Sequence, residues 1–237
     1  MNLQGKTAIV TGASAGIGAA TVRELSAAGC NLVLTGRRPE ALEAVRSALA
    51  GPAAVLAADI ADPQTPERLL SLACEQFGRA DILINNAAVM AGGSIETADL
   101  DAISYMIRVN FEAVVRSSYV FARAFKAQGS GAIVNVSSIG AYLIARRGGV
   151  YGGLKHALEA FSASLRIELA GSGVKVGTIA PGSTDTALYA QMIGTTPMGD
   201  HQPLDPQDVA AAIRFMLEQP DRSNIARMAI FPSTEAN

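Results

Sequence analysis

The chain has no tryptophan, only two cysteines and two histidines, and aromatic side chains at 5% of its 237 residues. Cys30 and Cys74 form no CxxC pair, and with His156 and His201 they complete no metal-ligand set. Both cysteines are therefore read as reduced and packed, in a cytoplasmic protein. Charge of one sign is also missing: 19 basic and 21 acidic residues give a net charge of −2. Nothing here suggests nucleic acid or an anionic membrane as a partner. Apolar runs are short and broken by glycine, proline or charge, so none reaches the roughly 18 residues of a membrane span. The start, Met1-Asn2-Leu3-Gln4-Gly5, lacks the basic and apolar regions of a secretory signal. No repeat, linker or low-complexity segment interrupts the chain. A hydrophobic fraction of 49% suits one large α/β domain with a sizeable core.

Apolar runs alternate with helical stretches from end to end, the βαβ pattern of a parallel sheet. Strands are expected at Thr7–Val10, Asn31–Thr35, Ala53–Ala58, Ile82–Ile84, Ala132–Val136, Lys175–Ile179 and Met228–Phe231. Helices are expected near Gly16–Ala28, Pro39–Leu49, Pro66–Phe77, Leu100–Lys126, Tyr151–Ala170 and Pro206–Leu217. Pro39 and Pro66 suit first-turn positions, where no N–H is needed. Right-handed crossovers predict a Rossmann-type, doubly wound parallel sheet of about seven strands with helices on both faces. Ligands of such a sheet bind over the carboxyl ends of its strands.

Between the first strand and the first helix lies Thr11-Gly12-Ala13-Ser14-Ala15-Gly16-Ile17-Gly18. Gly12 permits the tight turn, Gly16 lets the backbone approach a pyrophosphate, and Gly18 lets helix and strand pack closely. The helix N-terminus adds free N–H donors and partial positive charge. The spacing is G-x3-G-x-G rather than G-x-G-x-x-G. Farther on, Tyr151 and Lys155 stand one helical turn apart on one face, and Ser138 lies thirteen residues before Tyr151. A phenol with a pKa of about 10 exchanges protons poorly at neutral pH, and an adjacent ammonium corrects that. Ser138 would hydrogen-bond the oxygen of the reacting carbonyl or alcohol. A surface Tyr-Lys pair has the same spacing, so the pair takes its meaning from the glycine turn.

Together these pieces resemble the short-chain dehydrogenase/reductases along most of the chain. The matching segments are the Thr11–Gly18 turn, Asp59, Asn85-Asn86-Ala87-Ala88, Asn110, Ser138, Tyr151-x3-Lys155 and Pro181-Gly182-x3-Thr186. Ala88 replaces the usual glycine, and Gly153-Leu154 replaces the commoner small residue and serine before the lysine. Neither departure touches the proton chemistry. The resemblance implies hydride transfer between a nicotinamide and a carbonyl or secondary alcohol, with Asn110, Ser138, Tyr151 and Lys155 catalytic. Tyr151 would exchange the proton, and Lys155 would lower its pKa and bind the nicotinamide ribose. Asn110 would interrupt its helix and hold a water linking Lys155 to solvent; from the residues alone it is a mid-helix polar group facing outward. The implied cofactor-binding residues are Gly12, Ser14, Gly16, Ile17, Gly18, Arg37, Arg38, Asp59, Ile60, Asn86, Ala87, Tyr151, Lys155, Pro181, Gly182, Thr184 and Thr186. Asp59 would bond the adenine amino group unless it merely caps a loop, and Thr186 would hold the carboxamide. The stretch Pro181–Thr186 and the tail Ile230-Phe231-Pro232 resemble the NADP-dependent branch that contains clavulanic acid dehydrogenase and hydroxy-acid dehydrogenases.

Cofactor choice has its own signal. An NAD site generally ends the second strand with an acid that bonds the ribose 2′-OH. Here Leu32-Val33-Leu34-Thr35 is followed by Gly36-Arg37-Arg38, so Arg37 can meet a 2′-phosphate, and NADP(H) is expected over NAD(H). Basic residues at a helix start oppose the helix dipole, which counts against a purely solvated role. An apolar substrate wall is expected from Val89, Met90, Ile139, Leu143, Ile144, Val150, Tyr189 and Met192, with Arg146 and Arg147 available to an anionic substrate. Residues 187–205 would form a short, flexible substrate lid within a single domain spanning 1–237. The Tyr151–Ala170 helix carries two stripes, Leu154, Leu158, Phe161, Leu165 and Leu169, then Ala157, Ala160, Ser164 and Ile167. By resemblance the protein would be a homotetramer or homodimer joined through this helix, with Phe161 or Leu165 at the contact. Two alternatives stand beside a carbonyl reductase: a 3-oxoacyl carrier-protein reductase, and an NADP(H)-sensing regulator without turnover.

Overall fold

The structure, a computed structural model, describes residues 1–143, 149–193 and 202–234. Strand β1 (Thr7–Thr11) is buried along its whole length. Its side chains alternate between two cores, Ala8 and Val10 joining one and Ile9 the other. A strand covered on both faces has no polar side to present, which is why it reads as an unbroken apolar run. The same holds for β2 (Asn31–Gly36), β4 (Ile82–Asn85), β5 (Gly131–Val136) and most of β6 (Val174–Pro181). With β3 (Ala53–Ala57) and β7 (Arg227–Ile230) they make a seven-stranded sheet in the order β3-β2-β1-β4-β5-β6-β7. Every pairing is parallel. The order reverses between β1 and β4, and the crevice at such a reversal is where a doubly wound sheet takes its ligand.

The connecting helices are α1 (Gly16–Ala27), α2 (Pro39–Ser47), α3 (Thr65–Phe77), α4 (Leu100–Ile107), α5 (Ala113–Gln128), α6 (Gly149–Glu168), α7 (Ala187–Ile193) and α8 (Pro206–Glu218). Val22 and Leu25 of α1, Leu42 of α2, and Val209 and Ile213 of α8 fill one face of the sheet. Leu69 of α3, Phe121 and Phe125 of α5, and Leu165 of α6 fill the other. The helix expected over Leu100–Lys126 is not continuous: a π-turn, Arg108–Glu112, separates α4 from α5 and carries Asn110. Helix α7 was not expected at all and falls inside the segment read as an irregular lid. Cys30 is buried and reduced, whereas Cys74 is reduced but exposed on α3, contrary to the expectation that both are packed. Among the described residues no helix is long and apolar enough to cross a membrane.

Candidate active site

The turn after β1 is shaped by what its glycines leave out. Gly12 and Gly16 hold positive φ, 66° and 53°, which favours glycine. A methyl on Gly18 would collide with the Gly12 carbonyl oxygen and the Asn86 amide. Asn86 braces the same turn, its Nδ2 donating to the carbonyls of Thr11 (2.9 Å) and Gly12 (3.2 Å). The Thr11 hydroxyl in turn accepts from the backbone N–H of Asn86 and of Ala87, both at 3.0 Å. The N-terminus of α1 has no side-chain cap at Ala15 and no acid in its first turn. Its free N–H groups therefore point out of a bare glycine cradle, which fits a dinucleotide phosphate. Gly18→Ala is expected to cost roughly 1–3 kcal/mol of stability through overpacking and to weaken nucleotide binding. Chemical denaturation would measure it, and an unchanged midpoint would show that the cradle tolerates a methyl.

Opposite this turn, β6 ends at Pro181, and Gly182 N–H donates to the Ile230 carbonyl of β7 at 2.8 Å. Thr184 donates to the Gly182 carbonyl (3.0 Å), and the Thr186 hydroxyl accepts from Tyr189 N–H (3.2 Å), starting α7. Thr186 lies over the glycine turn, its methyl 3.0 Å from where a Cβ on Gly16 would sit. At the other end of the crevice, Arg38 Nη2 donates to Ser14 Oγ at 3.3 Å. Arg37 lies over the Tyr105 ring, 5.7 Å from its centre, and donates to the Tyr105 hydroxyl at 3.1 Å. Tyr105 donates onward to Asp59 Oδ2 at 2.7 Å, while Asp59 Oδ1 accepts from Ala61 N–H at 2.9 Å. Asp59 is thus held from both sides, and Ile60 beside it is buried in the core. Tyr105 was not singled out in the sequence; a tyrosine on an amphipathic helix gives no sign that its hydroxyl reaches the ends of two strands.

Ser138 follows β5 and caps a short 3-10 turn, its Oγ accepting from Gly140 N–H at 3.1 Å. Tyr151, the third residue of α6, comes to the same place: a Cβ on Gly140 would lie 3.4 Å from Ser138 Oγ and 3.7 Å from the Tyr151 ring. Burial pushes the Tyr151 phenol above its ordinary pKa, and the Ser138 hydroxyl opposes that rise. Lys155, one turn on, is only 4% exposed. It donates to the Val136 carbonyl at 2.8 Å, with its nitrogen 5.6 Å from the centre of the Tyr151 ring. Burial lowers its pKa to about 8, and Glu159 works against that. In this structure burial of the phenol outweighs any lowering of the Tyr151 pKa by Lys155, whose ammonium is directed at the Val136 carbonyl.

Asn110 is buried rather than solvent-facing, at 1% exposure. Its Oδ1 accepts from Val89 N–H and its Nδ2 donates to the Val89 carbonyl, both at 2.9 Å. The π-turn thereby clamps the segment leaving β4. Val89, Met90, Ile139, Leu143, Val150 and Tyr189 are part-buried or exposed around this mouth. Gln191 donates to the Met90 carbonyl at 3.3 Å. Ile144, Arg146, Arg147, the Met192 side chain and the middle of the expected lid lie outside the described residues. Among the described residues no three His, Cys, Asp or Glu side chains converge on a point.

Comparison with known proteins agrees with this geometry. The sequence profile of short chain dehydrogenases matches residues 6–195. An uncharacterized oxidoreductase of Staphylococcus saprophyticus is 34% identical over 236 residues, covering 98% of this chain and 99% of its own. Among solved structures, the closed form of a serine dehydrogenase complexed with NADP+ superposes with a TM-score of 0.91 at 26% identity, covering 98% of this chain and 96% of its own. A 3-ketoacyl-(acyl-carrier-protein) reductase of Brucella melitensis complexed with NADH gives 0.88 at 26% identity, with 98% of each chain covered.

Proposed function

Because this chain belongs to the short-chain dehydrogenase family, we propose that it is an NADPH-dependent reductase of small carbonyl compounds, with Tyr151 as the proton donor. The observation that carries this reading is the convergence of the Ser138 hydroxyl and the Tyr151 ring around Gly140, with the buried Lys155 beside that ring, at the strand ends that also hold the glycine cradle. A bound nicotinamide would supply the hydride. The glycine turn, Thr184 and Thr186 would hold and orient the dinucleotide, and the methyl of Ala87 and the Pro181–Gly182 backbone would line it. Ser138 would bond the substrate oxygen and aim it at Tyr151. A phenol held above its usual pKa keeps its proton until that oxygen gains negative charge, which suits the reducing direction. The Lys155 ammonium then favours the phenolate that remains. Asn110 would fix the kink beside this row and serve a proton path to solvent. The experiment is a panel of ketones, aldehydes, keto acids and acyl thioesters with NADPH. Tight cofactor binding without turnover across it would favour a sensor, and turnover confined to acyl thioesters a carrier-protein reductase.

NADP(H) as the preferred cofactor is part of the same reading, in which Arg38, Ser14 and Arg37 would hold the 2′-phosphate. So is placement with the NADP-dependent branch named above, without its substrates. Segment 187–205 would close over the substrate, Gln191 already bridging α7 to Met90.

Assembly through α5 and α6 completes the reading. Phe161 packs edge-on against Phe111 (6.2 Å) and at a tilt against Tyr119 (6.1 Å), while Tyr119 remains 40% exposed and Ile167 68% exposed. Leu165 is only 3% exposed, so it belongs to the protomer's own core and a charge there would test folding instead. Ile167→Glu is expected to yield folded monomers where the wild type scatters light as a dimer or tetramer. A monomeric wild type at micromolar concentration would refute the interface.

A further inference from the structure

Glu159 is a buried carboxylate for which proton transfer at Tyr151 provides no role. It follows Lys155 by one turn of α6, so Tyr151, Lys155 and Glu159 form one row along the helix. It is 5% exposed. Its Oε2 accepts from the Thr178 hydroxyl of β6 at 2.8 Å and lies 3.3 Å from Arg227 Nε of β7. Its Oε1 has no hydrogen-bond partner at bonding distance, although the Tyr142 phenol approaches the carboxylate. A carboxylate buried with one oxygen unpaired is costly, and an apolar side chain would pack α6 on β6 without that cost. Arg227 meets only one of the two carboxylate oxygens, from a side chain that is 56% exposed on the edge strand. Lys155, in contrast, needs an anion: it is buried, and its one hydrogen bond runs to the Val136 carbonyl.

We propose that Glu159 is the positioning residue that keeps Lys155 an ammonium beside Tyr151, with Arg227 on β7 as the counterweight that limits its pull. Its consequence for turnover rests on the hydride-transfer reading, but the ion relationship itself is a property of the protein alone. Among the described residues few charged or titratable groups face this pair. On α6 they are Tyr151, Glu159 and Arg166, the last lining the cavity of about 340 Å³ that borders Glu159 and Arg227. The turn after Ser138 brings Tyr142, whose pKa is raised by burial and further by Glu159. From β5 and β6 come only the Val136 carbonyl and the Thr178 hydroxyl. The π-turn brings the neutral Asn110; its Arg108 and Glu112 engage Tyr105 and Arg116 instead. Tyr105 of α4 is bound to Asp59.

The signs are opposite for the two partners. Lys155 acts as a cation, so its contribution holds below its pKa and is lost as pH rises through it. That pKa lies at about 8, lowered by burial and raised by Glu159. Removing the Glu159 charge lowers it further, and removing the Arg227 charge raises it. The test is a carbon-13 NMR titration of lysine-labelled, cofactor-free protein, in which only four lysines need assignment. Glu159→Gln should move the Lys155 midpoint down by about one pH unit, Arg227→Gln should move it up, and Glu159→Asp should leave it near wild type. The alkaline limb of the kcat profile should shift in the same order. A Lys155 midpoint unmoved in folded Glu159→Gln would overturn the proposal. Should that variant fail to fold, Arg227→Gln decides: an unmoved or lowered midpoint overturns it equally. Midpoints that shift as stated in a protein that turns over no carbonyl would sink the hydride-transfer reading and leave this one standing.

Discussion

Replacing Tyr151 by phenylalanine is expected to lower turnover at least about a hundredfold, the range that general acid–base catalysis supplies. The ring stays and the transferable proton goes, so packing against Gly140 and α6 should survive. Cofactor affinity should hardly change, because the glycine cradle and the Thr186 side lie elsewhere in the crevice. Lys155→Ala should behave differently and damage both turnover and cofactor affinity. It removes the cation 5.6 Å from the ring and the donor to Val136, and leaves Glu159 buried without its neighbour. Steady-state kinetics with the best substrate of the panel, beside calorimetric binding of NADPH, separates the two outcomes. Retention of more than roughly half the wild-type rate by Tyr151→Phe would leave no room for an acid–base step at that residue.

Substitution of the two arginines after β2 is expected to reverse the cofactor preference. A hydrogen bond to a charged group contributes about 1.5–3 kcal/mol, so losing one contact to a 2′-phosphate means roughly a ten- to hundredfold fall in NADPH affinity. Arg37→Asp should do more, adding repulsion for the phosphate and an acceptor for the 2′-OH of NADH. On the proposed reading the two arginines share the work more evenly than the sequence suggests. Arg38 reaches Ser14 inside the glycine turn, whereas Arg37 is spread over Tyr105 and tied through its hydroxyl to Asp59. The double substitution should therefore exceed either single one. Isothermal titration of both cofactors against wild type and variants checks this. Equal affinities in the wild type, or an unchanged ratio in the variants, would reduce both arginines to solvated residues at the start of α2.

Much of the architecture was legible because burial on two faces leaves a simple trace. Strands such as Ile82–Asn85 carry an unbroken apolar run, and the helices between them carry stripes, so each strand lies within two residues of its expected bounds. The π-turn at Asn110 left no trace in the apolar pattern, since Val109 and Ala113 continue the stripe across it; only the family resemblance implied that Asn110 interrupts the helix. Helix α7 was hidden by the glycines and prolines that follow it. The two stripes of α6 were visible, but which residues face inward was not: Leu165 turned out internal and Ile167 external, a matter of how α6 rolls against β6. Glu159 did offer a signal, a charge one turn beyond Lys155 beside the buried Leu158. Tyr105 offered none, because its partners Arg37 and Asp59 come from two distant segments.

The most direct test of the account uses NADPH carrying deuterium at C4 of the nicotinamide, incubated with the carbonyl panel and followed by mass spectrometry of the products. The account predicts an alcohol with deuterium on the former carbonyl carbon, formed by the wild type and all but absent with Tyr151→Phe at equal NADPH occupancy. Tight NADPH binding with no labelled alcohol from any carbonyl class, or label transferred equally well by Tyr151→Phe, would contradict it.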